Sequence, residues 1–99
     1  MNMQAMLKQA QDLQRKMLSE QEAINNSTYV GENGLVKVTM KGNKRLEKVE
    51  INKSEEFSTE DVEMLEDMVL VAVNDALSKI DKDTEAKLGK YTNGLPGLF

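Results

Sequence analysis

The chain has 99 residues, a formal net charge of −4 and neither cysteine nor histidine. This composition excludes a disulfide framework, a thiolate nucleophile and metal sites built on thiolate or imidazole ligands. Hydrophobic residues make up 39% and aromatic residues only 4%, so we expect one domain with a lean aliphatic core that a second copy would enlarge. The first sixteen residues contain no apolar run, which predicts neither a signal peptide nor a membrane span and favours a cytoplasmic protein.

The charge is distributed unevenly along the chain. Residues 35–53 carry six lysines or arginines and two glutamates, a net charge of +4. Residues 54–85 carry eleven acidic residues and two lysines, a net charge of −9. An acidic protein is a poor non-specific ligand for nucleic acid, but here the net charge conceals a basic middle region.

The first predicted element is a long amphipathic helix over residues 3–25. Apolar residues recur at steps of three and four from Met3 to Ile24, with Glu20 as a polar interruption. About 22 residues at ~1.5 Å each give a rod of ~33 Å, which is too long to lie wholly against one small sheet. Three cations lie on its polar side and indicate either phosphate contacts or an ordinary solvated face: Lys8, Arg15 and Lys16.

Residues 27–52 predict three antiparallel strands, with turns at 31–34 and 41–44. A two-residue turn at 42–43 would place Val36 opposite Val49 and Lys37 opposite Lys48. The alternation then predicts one buried face that consists of Val36, Val38, Met40, Val49 and Ile51. Facing lysines are unfavourable unless solvent or an anion intervenes. The outward face of the hairpin therefore indicates either an anion-binding patch or an edge kept soluble by lysine, and its lysines are Lys37, Lys41, Lys44 and Lys48.

Helices are predicted over residues 58–91. Ser58 is a suitable N-cap with Asp61 three residues later, and an apolar stripe runs from Val62 to Ile80. The pattern loosens at 81–84, which predicts a separate short C-terminal helix. Residues 92–99 are predicted to form a flexible, partly apolar tail.

The segment 68–73 is apolar on every side of the second helix, because Leu70 and Val71 lie outside the core stripe. A helix that is apolar all round is expected to be buried all round. One three-stranded sheet cannot cover both faces of this helix, so the sequence predicts a homodimer. The predicted dimer interface consists of Met68, Leu70, Val71 and Val73.

The sequence offers no recognisable catalytic group. Its serines have no adjacent base, and the carboxylates between residues 60 and 67 are better interpreted as a solvated helix face than as a metal cluster. We therefore predict a protein that is not an enzyme and that uses no cofactor, metal or small-molecule substrate.

Four segments together resemble the YbaB/EbfC family of bacterial nucleoid-associated proteins. They read MQAMLKQAQ at 3–11, GLVKVTMKG at 34–42, MLEDMVLVAVNDA at 64–76 and GLPGLF at 94–99. The resemblance implies a single DNA-binding domain over 1–99 of the α+β class, with a long N-terminal helix, a three-stranded antiparallel sheet, a long second helix and a short C-terminal helix. It also implies a tweezer-like homodimer and a role in nucleoid organisation and gene regulation.

In a dimer of that shape, the first and last helices form projecting arms. By region and charge, the candidate DNA contacts on these arms are Lys8, Arg15, Lys16, Lys87 and Lys90, and the hairpin lysines are secondary candidates. The alternative hypothesis is a protein–protein adaptor or small chaperone with no direct nucleic-acid role. Long amphipathic helices, methionine-rich surfaces and an acidic body would suit that alternative.

Overall fold

The computed structural model, which describes residues 2–52 and 56–94, contains two long helices and one three-stranded sheet. This arrangement confirms the predicted α+β class with its long first and second helices. In chain order the elements are α1 (Met3–Asn26), β1 (Thr28–Asn33), β2 (Val36–Lys41), β3 (Leu46–Ile51), a single 3₁₀ turn (Thr59–Asp61) and α2 (Val62–Gly94).

Both helices begin at residues with capping side chains. The side chain of Asn2 accepts a hydrogen bond from the backbone N–H of Ala5 at 2.7 Å, which satisfies a free donor at the start of α1. Before α2, the Asp61 carboxylate accepts from the backbone N–H of Ser58 at 2.8 Å. Ser58 therefore lies at the helix entry that the sequence predicts.

The sheet has the order β1-β2-β3 and is antiparallel throughout, but the register of its second hairpin differs from the prediction. Lys41 N–H donates to the Arg45 carbonyl at 2.9 Å, so the loop has three residues rather than two. Lys44 closes it in the left-handed region with a φ of 69°, as such loops require. A further register shift follows between Thr39 and Met40.

The longer loop and the register shift each add one residue, and together they change which side chains face each other across the hairpin. Lys37 lies opposite Glu50 rather than Lys48, and Lys48 lies opposite Thr39. The predicted pairing of Lys37 with Lys48 is therefore wrong, and so is the pairing of Val36 with Val49. The like-charge repulsion that suggested an anion between two lysines does not arise.

The core lies between α2 and the first two strands. Val36, Val38 and Met40 of β2 are buried, and on the helix side they meet a stripe of buried residues formed by Ala72, Ala76 and Ile80. On β3, by contrast, Val49 stays 42% exposed although the sequence predicts it to be buried. Helix α2 covers β1 and β2 and leaves the inner side of β3 largely open.

The predicted break at 81–84 is absent, because α2 is one helix of 33 residues. Its buried stripe does not stop at Ile80 but continues through Leu88 and Tyr91, which pack on Ile24 of α1. At ~1.5 Å per residue α2 is about 50 Å long, so it leaves the sheet and runs on along α1. Residues 92–94, predicted to belong to the tail, are its last residues, and 95–99 lie outside the described part of the chain.

The molecule is strongly elongated, with dimensions of 71 × 20 × 14 Å. Its radius of gyration is 19.6 Å. A compact chain of this length would have a radius of about 13 Å. The excess length comes from the two helices, since residues 2–10 at the start of α1 are all exposed.

Gly31 provides the test of the contact between α2 and the sheet. A Cβ atom at this position would lie 2.0 Å from the Ala72 carbonyl oxygen and 2.7 Å from the Ala76 nitrogen. We expect Gly31→Ala to lower the free energy of unfolding by about 3 kcal/mol, because helix and strand backbones would have to separate. Urea denaturation followed by circular dichroism measures this change.

Gly89→Ala is the matched control. Its new Cβ would meet only the end of the Glu85 side chain, at 2.9 Å, and alanine is the better helix former by about 1 kcal/mol. We expect this variant to be as stable as the parent or more stable. Equal stability of the Gly31 variant and the parent would show that the close approach of α2 to β1 is wrong.

Candidate nucleic-acid interface

The two helices that carry the candidate DNA contacts lie side by side and antiparallel. Ile24 packs with Leu88 and Tyr91, and Met17 extends this cluster toward the start of α1. On the same interface Glu20 forms an ion pair with Lys90 at 3.2 Å. Glu20 therefore interrupts the apolar stripe of α1 at the position where a cation of α2 faces it.

Two of the five candidate cations are engaged within the chain through α2. Lys90 binds Glu20 and lies 5.2 Å from the centre of the Tyr91 ring. The hydrogen bond that Lys90 donates to the Glu20 carboxylate raises the pKa of Lys90. Lys87 forms an ion pair with Asp83 at 3.0 Å. A phosphate at either lysine would compete with a carboxylate that is already in place.

Asp83 also anchors α2 to the sheet. Its carboxylate accepts a hydrogen bond from the hydroxyl of Tyr29 on β1. This bond, followed by the one from Lys87, lowers the pKa of Asp83. In turn, burial and the nearby carboxylate raise the pKa of Tyr29 to about 12. Lys87 is thus part of a structural contact between α2 and β1.

The cations of α1 are less engaged. Arg15 pairs with Asp12 at 3.2 Å, while both side chains remain well exposed. Within 2–52 and 56–94, Lys8 and Lys16 form no ion pair, and both are exposed. Lys8 precedes Met17 by nine residues, or two and a half turns, so it points away from the face that packs on α2.

The hairpin lysines do not form one patch. Lys41 donates to the Asn26 carbonyl at 3.3 Å and to the Thr28 hydroxyl at 3.2 Å. Lys44 pairs with Asp81 at 3.5 Å, and Lys48 pairs with Glu50 at 3.6 Å. Among these four, Lys37 alone has no ion pair or hydrogen bond from its ammonium group in the described part of the chain.

Sequence reasoning missed a pair of charged residues that occupies the free edge of β1. Lys79 donates to the Val30 carbonyl at 2.7 Å, and Asp75 accepts from the backbone N–H of Glu32 at 3.1 Å. The two side chains also pair with each other at 3.2 Å. Their i, i+4 spacing on α2 could have suggested the ion pair, but not its contact with the strand.

The four residues predicted at a dimer interface fall into two groups. Met68 and Val73 are half-buried and pack against the core of their own chain. Leu70 and Val71 are 61% and 47% exposed. Leu70 precedes Ala72 by two residues and so lies on the opposite side of α2 from the sheet.

Metal-ion clusters and membrane-spanning helices are both absent from the described residues. No group of three or more acidic residues among them is placed to hold a metal ion. None of their helices is both long enough and apolar enough to cross a membrane.

Comparison with known proteins gives matches over nearly the whole chain. The sequence model of the YbaB/EbfC DNA-binding family matches residues 1–95. A nucleoid-associated protein of Enterococcus faecalis (strain ATCC 700802 / V583) is 50% identical over 99 residues, which cover 98% of this chain and 94% of that protein. A nucleoid-associated protein of Lactococcus lactis subsp. cremoris (strain MG1363) is 53% identical over 98 residues, covering 97% and 98%. The resemblance seen in the four sequence segments is confirmed.

The contacts of Asp75 and Asp83 with β1 are expected to weaken in acid. Hydrogen bonds, from Glu32 N–H to Asp75 and from Tyr29 to Asp83, lower the pKa of both aspartates below the ordinary value of about 3.9. The unfolded chain therefore takes up protons first as the pH falls. The stabilisation is complete above about pH 5 and is lost as the pH falls through the lowered values.

We expect Asp83→Asn to lower the free energy of unfolding at pH 7. We expect the difference between variant and parent to be smaller at pH 2.5, because protonation of Asp83 removes the same charge from the parent. Urea denaturation at the two pH values measures both differences. Asp67→Asn is the control, since Asp67 is an exposed residue of the same helix with no ion pair to the described residues. If Asp83→Asn had the same small effect at both pH values, the contact with Tyr29 would not contribute to stability.

Proposed function

The chain belongs to the YbaB/EbfC DNA-binding family, and from that membership we propose that it is a nucleoid-associated protein that binds DNA as a homodimer. Binding relies on contacts of lysine and arginine with phosphate and on the release of counterions, with little reading of bases. Its role is in nucleoid organisation and gene regulation.

The observation that carries this proposal is the state of the cations on α1. Lys8 and Lys16 are exposed on a helix whose first turns project from the body of the molecule. Neither has to give up an internal carboxylate in order to bind a phosphate. Arg15 is engaged only by Asp12 on the same exposed surface, where ion pairs contribute little to stability.

The net charge of −4 is compatible with this mode of binding. Several acidic side chains neutralise lysines within the chain, as Asp83 does for Lys87 and Glu20 for Lys90. The acidic start of α2 and the start of α1 lie at different ends of the elongated molecule. Salt screens interactions between charges that are more than about 8 Å apart at physiological ionic strength. The local charge of the first helix therefore governs its contact with DNA.

The proposed dimer rests on apolar surface that the chain does not cover by itself. Leu70 and Val71 are exposed on α2, and Leu46 and Val49 are exposed on β3. The free edge of β1 is already occupied by Asp75 and Lys79 of α2. A second copy that covers α2 and the side of β3 would bury this surface and place two α1 helices on one particle.

Replacing Lys8 and Lys16, which form no ion pair within 2–52 and 56–94, tests the electrostatic mechanism. We expect Lys8→Ala/Lys16→Ala to weaken DNA binding and to make it less dependent on salt. Each lost phosphate contact lowers the slope of log Kobs against log salt by about 0.9. Fluorescence anisotropy with a short duplex, titrated at several salt concentrations, measures the slope.

Lys87→Ala/Lys90→Ala is the matched control, because it removes the same charge from lysines that already bind carboxylates. We expect a smaller change in slope from this variant. An unchanged slope in the Lys8 and Lys16 variant would contradict the assignment and direct attention to the hairpin lysines. Absence of DNA binding by the parent at low salt would reject the proposed function and favour the adaptor hypothesis.

A charge placed on the exposed face of α2 tests the dimer. We expect Leu70→Lys/Val71→Lys to be monomeric by light scattering, because both lysines would have to be desolvated in the interface. Both positions are exposed in the single chain, so the fold should survive and circular dichroism should match the parent.

Ser19→Lys, a substitution at an exposed position of α1, is the control and should keep the mass of the parent. A fully dimeric Leu70 and Val71 variant would show that the interface lies elsewhere. Val49→Lys would then determine whether β3 forms it instead.

A further inference from the structure

The two edges of the sheet differ in the described part of the chain. Within 2–52 and 56–94, β3 pairs with β2 alone, and five of its six residues are exposed. The opposite edge of the sheet is closed, because Asp75 and Lys79 of α2 bind the backbone of β1. The outer edge of β3 is therefore the one to which another strand could be added.

The hydrogen bonds to β2 show which backbone groups of β3 point to this outer edge. Asn52 N–H donates to a carbonyl at the start of β2 at 2.8 Å, so Asn52 faces β2. Residues of a paired antiparallel strand direct their backbone groups alternately toward the neighbour and away from it. Lys48 and Glu50 therefore also bond to β2, while Val49 and Ile51 direct their N–H and C=O groups outward.

The side chains of β3 are divided between the two faces of the sheet in the same alternating manner. Val49 lies opposite Val38 and so faces the side of the sheet that α2 covers, yet it is 42% exposed. Lys48 and Glu50 share the other face, where they form an ion pair at 3.6 Å. The middle of the strand is thus apolar on one face and carries one charge of each sign on the other.

This arrangement is self-complementary for an antiparallel pair centred on Val49. With Val49 opposite Val49 of a second copy, Lys48 of each chain lies opposite Glu50 of the other. The outward residues 47, 49 and 51 must keep facing one another, so the register can change only in whole steps. One step in either direction places Lys48 opposite Lys48 or Glu50 opposite Glu50, and like charges that face each other are unfavourable.

The corner between α2 and β3 supplies apolar surface beside the same strand. Val73 and Leu77 lie on the side of α2 that is turned away from Asp75, and both pack partly against the core. Directly opposite residues of an antiparallel pair point to the same face of a sheet, so a second copy brings its own α2 to this face. Val49 of each chain then lies between two helices in a shared apolar layer.

We propose that the two copies of the homodimer join through the outer edges of β3, around a two-fold axis at Val49, and form one continuous six-stranded antiparallel sheet. This inference rests on the homodimer proposed above and adds the contact that joins its two chains. Val49 of each copy donates to and accepts from Val49 of the other, while Lys48 and Glu50 of both copies form a cluster of four alternating charges. The joined sheet ends on both sides at β1, whose edge is occupied by Asp75 and Lys79.

Introduced cysteines test the position of the two-fold axis, because the chain has none of its own. Facing residues of a hydrogen-bonded antiparallel pair have Cα atoms about 5.5 Å apart, which is within the range of a disulfide. We expect Val49→Cys to become a covalent dimer almost completely on mild oxidation. A non-reducing gel sampled over time measures the rate.

Leu46→Cys is the matched control, since Leu46 belongs to the same strand and is similarly exposed, at 46%. In the proposed register it lies six residues, or about 20 Å, along the strand from Leu46 of the second copy. It should cross-link at least about tenfold more slowly, because its sulfur atoms do not meet in the dimer. Equal rates in the two variants would overturn the proposal.

Charge reversal tests the register by a second route. Lys48→Glu places glutamates opposite each other at both pairs of the interface, and Glu50→Lys places lysines there. We expect each variant to raise the dissociation constant of its homodimer about tenfold, because the unfavourable pair occurs twice.

Mixing the two charge-reversal variants restores opposite charges at both pairs. With one variant labelled with a heavy nitrogen isotope, native mass spectrometry distinguishes the heterodimer from the two homodimers. The heterodimer should exceed its share in a random mixture. A random mixture of the three species would contradict the proposed register.

The mass of the parent separates this inference from the proposed function. If the parent is a dimer by light scattering and Val49→Cys cross-links no faster than Leu46→Cys, the homodimer stands and the β3 contact is rejected. If the parent is a monomer at every concentration, the homodimer is rejected as well. Circular dichroism of each variant should match that of the parent, because all the substituted side chains are exposed in the single chain.

Discussion

The fold depends on how closely the backbone of α2 approaches β1. Gly31 lies under Ala72 and Ala76, and a single methyl group at Gly31 would collide with the helix backbone. Because small residues meet on both sides, α2 lies directly over β1 and β2. This crossing fixes the direction of the α2 axis. It therefore determines what the helix contacts at both of its ends.

One consequence is the uncovered surface on either side of the helix. With α2 centred over the first two strands, β3 keeps Val49 exposed, and the outer side of α2 keeps Leu70 exposed. Another is the run of α2 past the sheet to meet Ile24 of α1. The same crossing thus leaves the surface that we assign to a second copy and sets the direction in which the helical arm projects.

The same contacts determine which cations remain available to a ligand. Where α2 runs along β1 and α1, its lysines meet carboxylates: Lys79 meets Asp75, Lys87 meets Asp83 and Lys90 meets Glu20. At the start of α1, Lys8 forms no ion pair with any residue that the structure describes. An acidic protein can therefore present a basic segment between residues 8 and 16 of α1, where Lys8, Arg15 and Lys16 outnumber Asp12.

The sequence by itself determined what depends on neighbours along the chain. Spacing of apolar residues predicted α1 to within one residue, alternation identified Val36, Val38 and Met40 as buried, and Ser58 marked the entry to α2. The four segments that resemble the YbaB/EbfC family could also be recognised from the sequence, because each consists of adjacent residues. Such features reflect helical and strand periods and local capping bonds, which a linear pattern records directly.

Only the tertiary structure decided the hairpin register, the continuity of α2 and the ion pairs that join distant parts of the chain. A three-residue loop and a register shift moved Lys37 from Lys48 to Glu50, although the turn sequence fits a shorter loop equally well. The polar residues at 81–84 stay helical because Asp83 binds Tyr29, which is 54 residues away. Contacts of this kind join distant parts of the chain, so no local pattern records them. Lys90 and Glu20, which are 70 residues apart, are a second example.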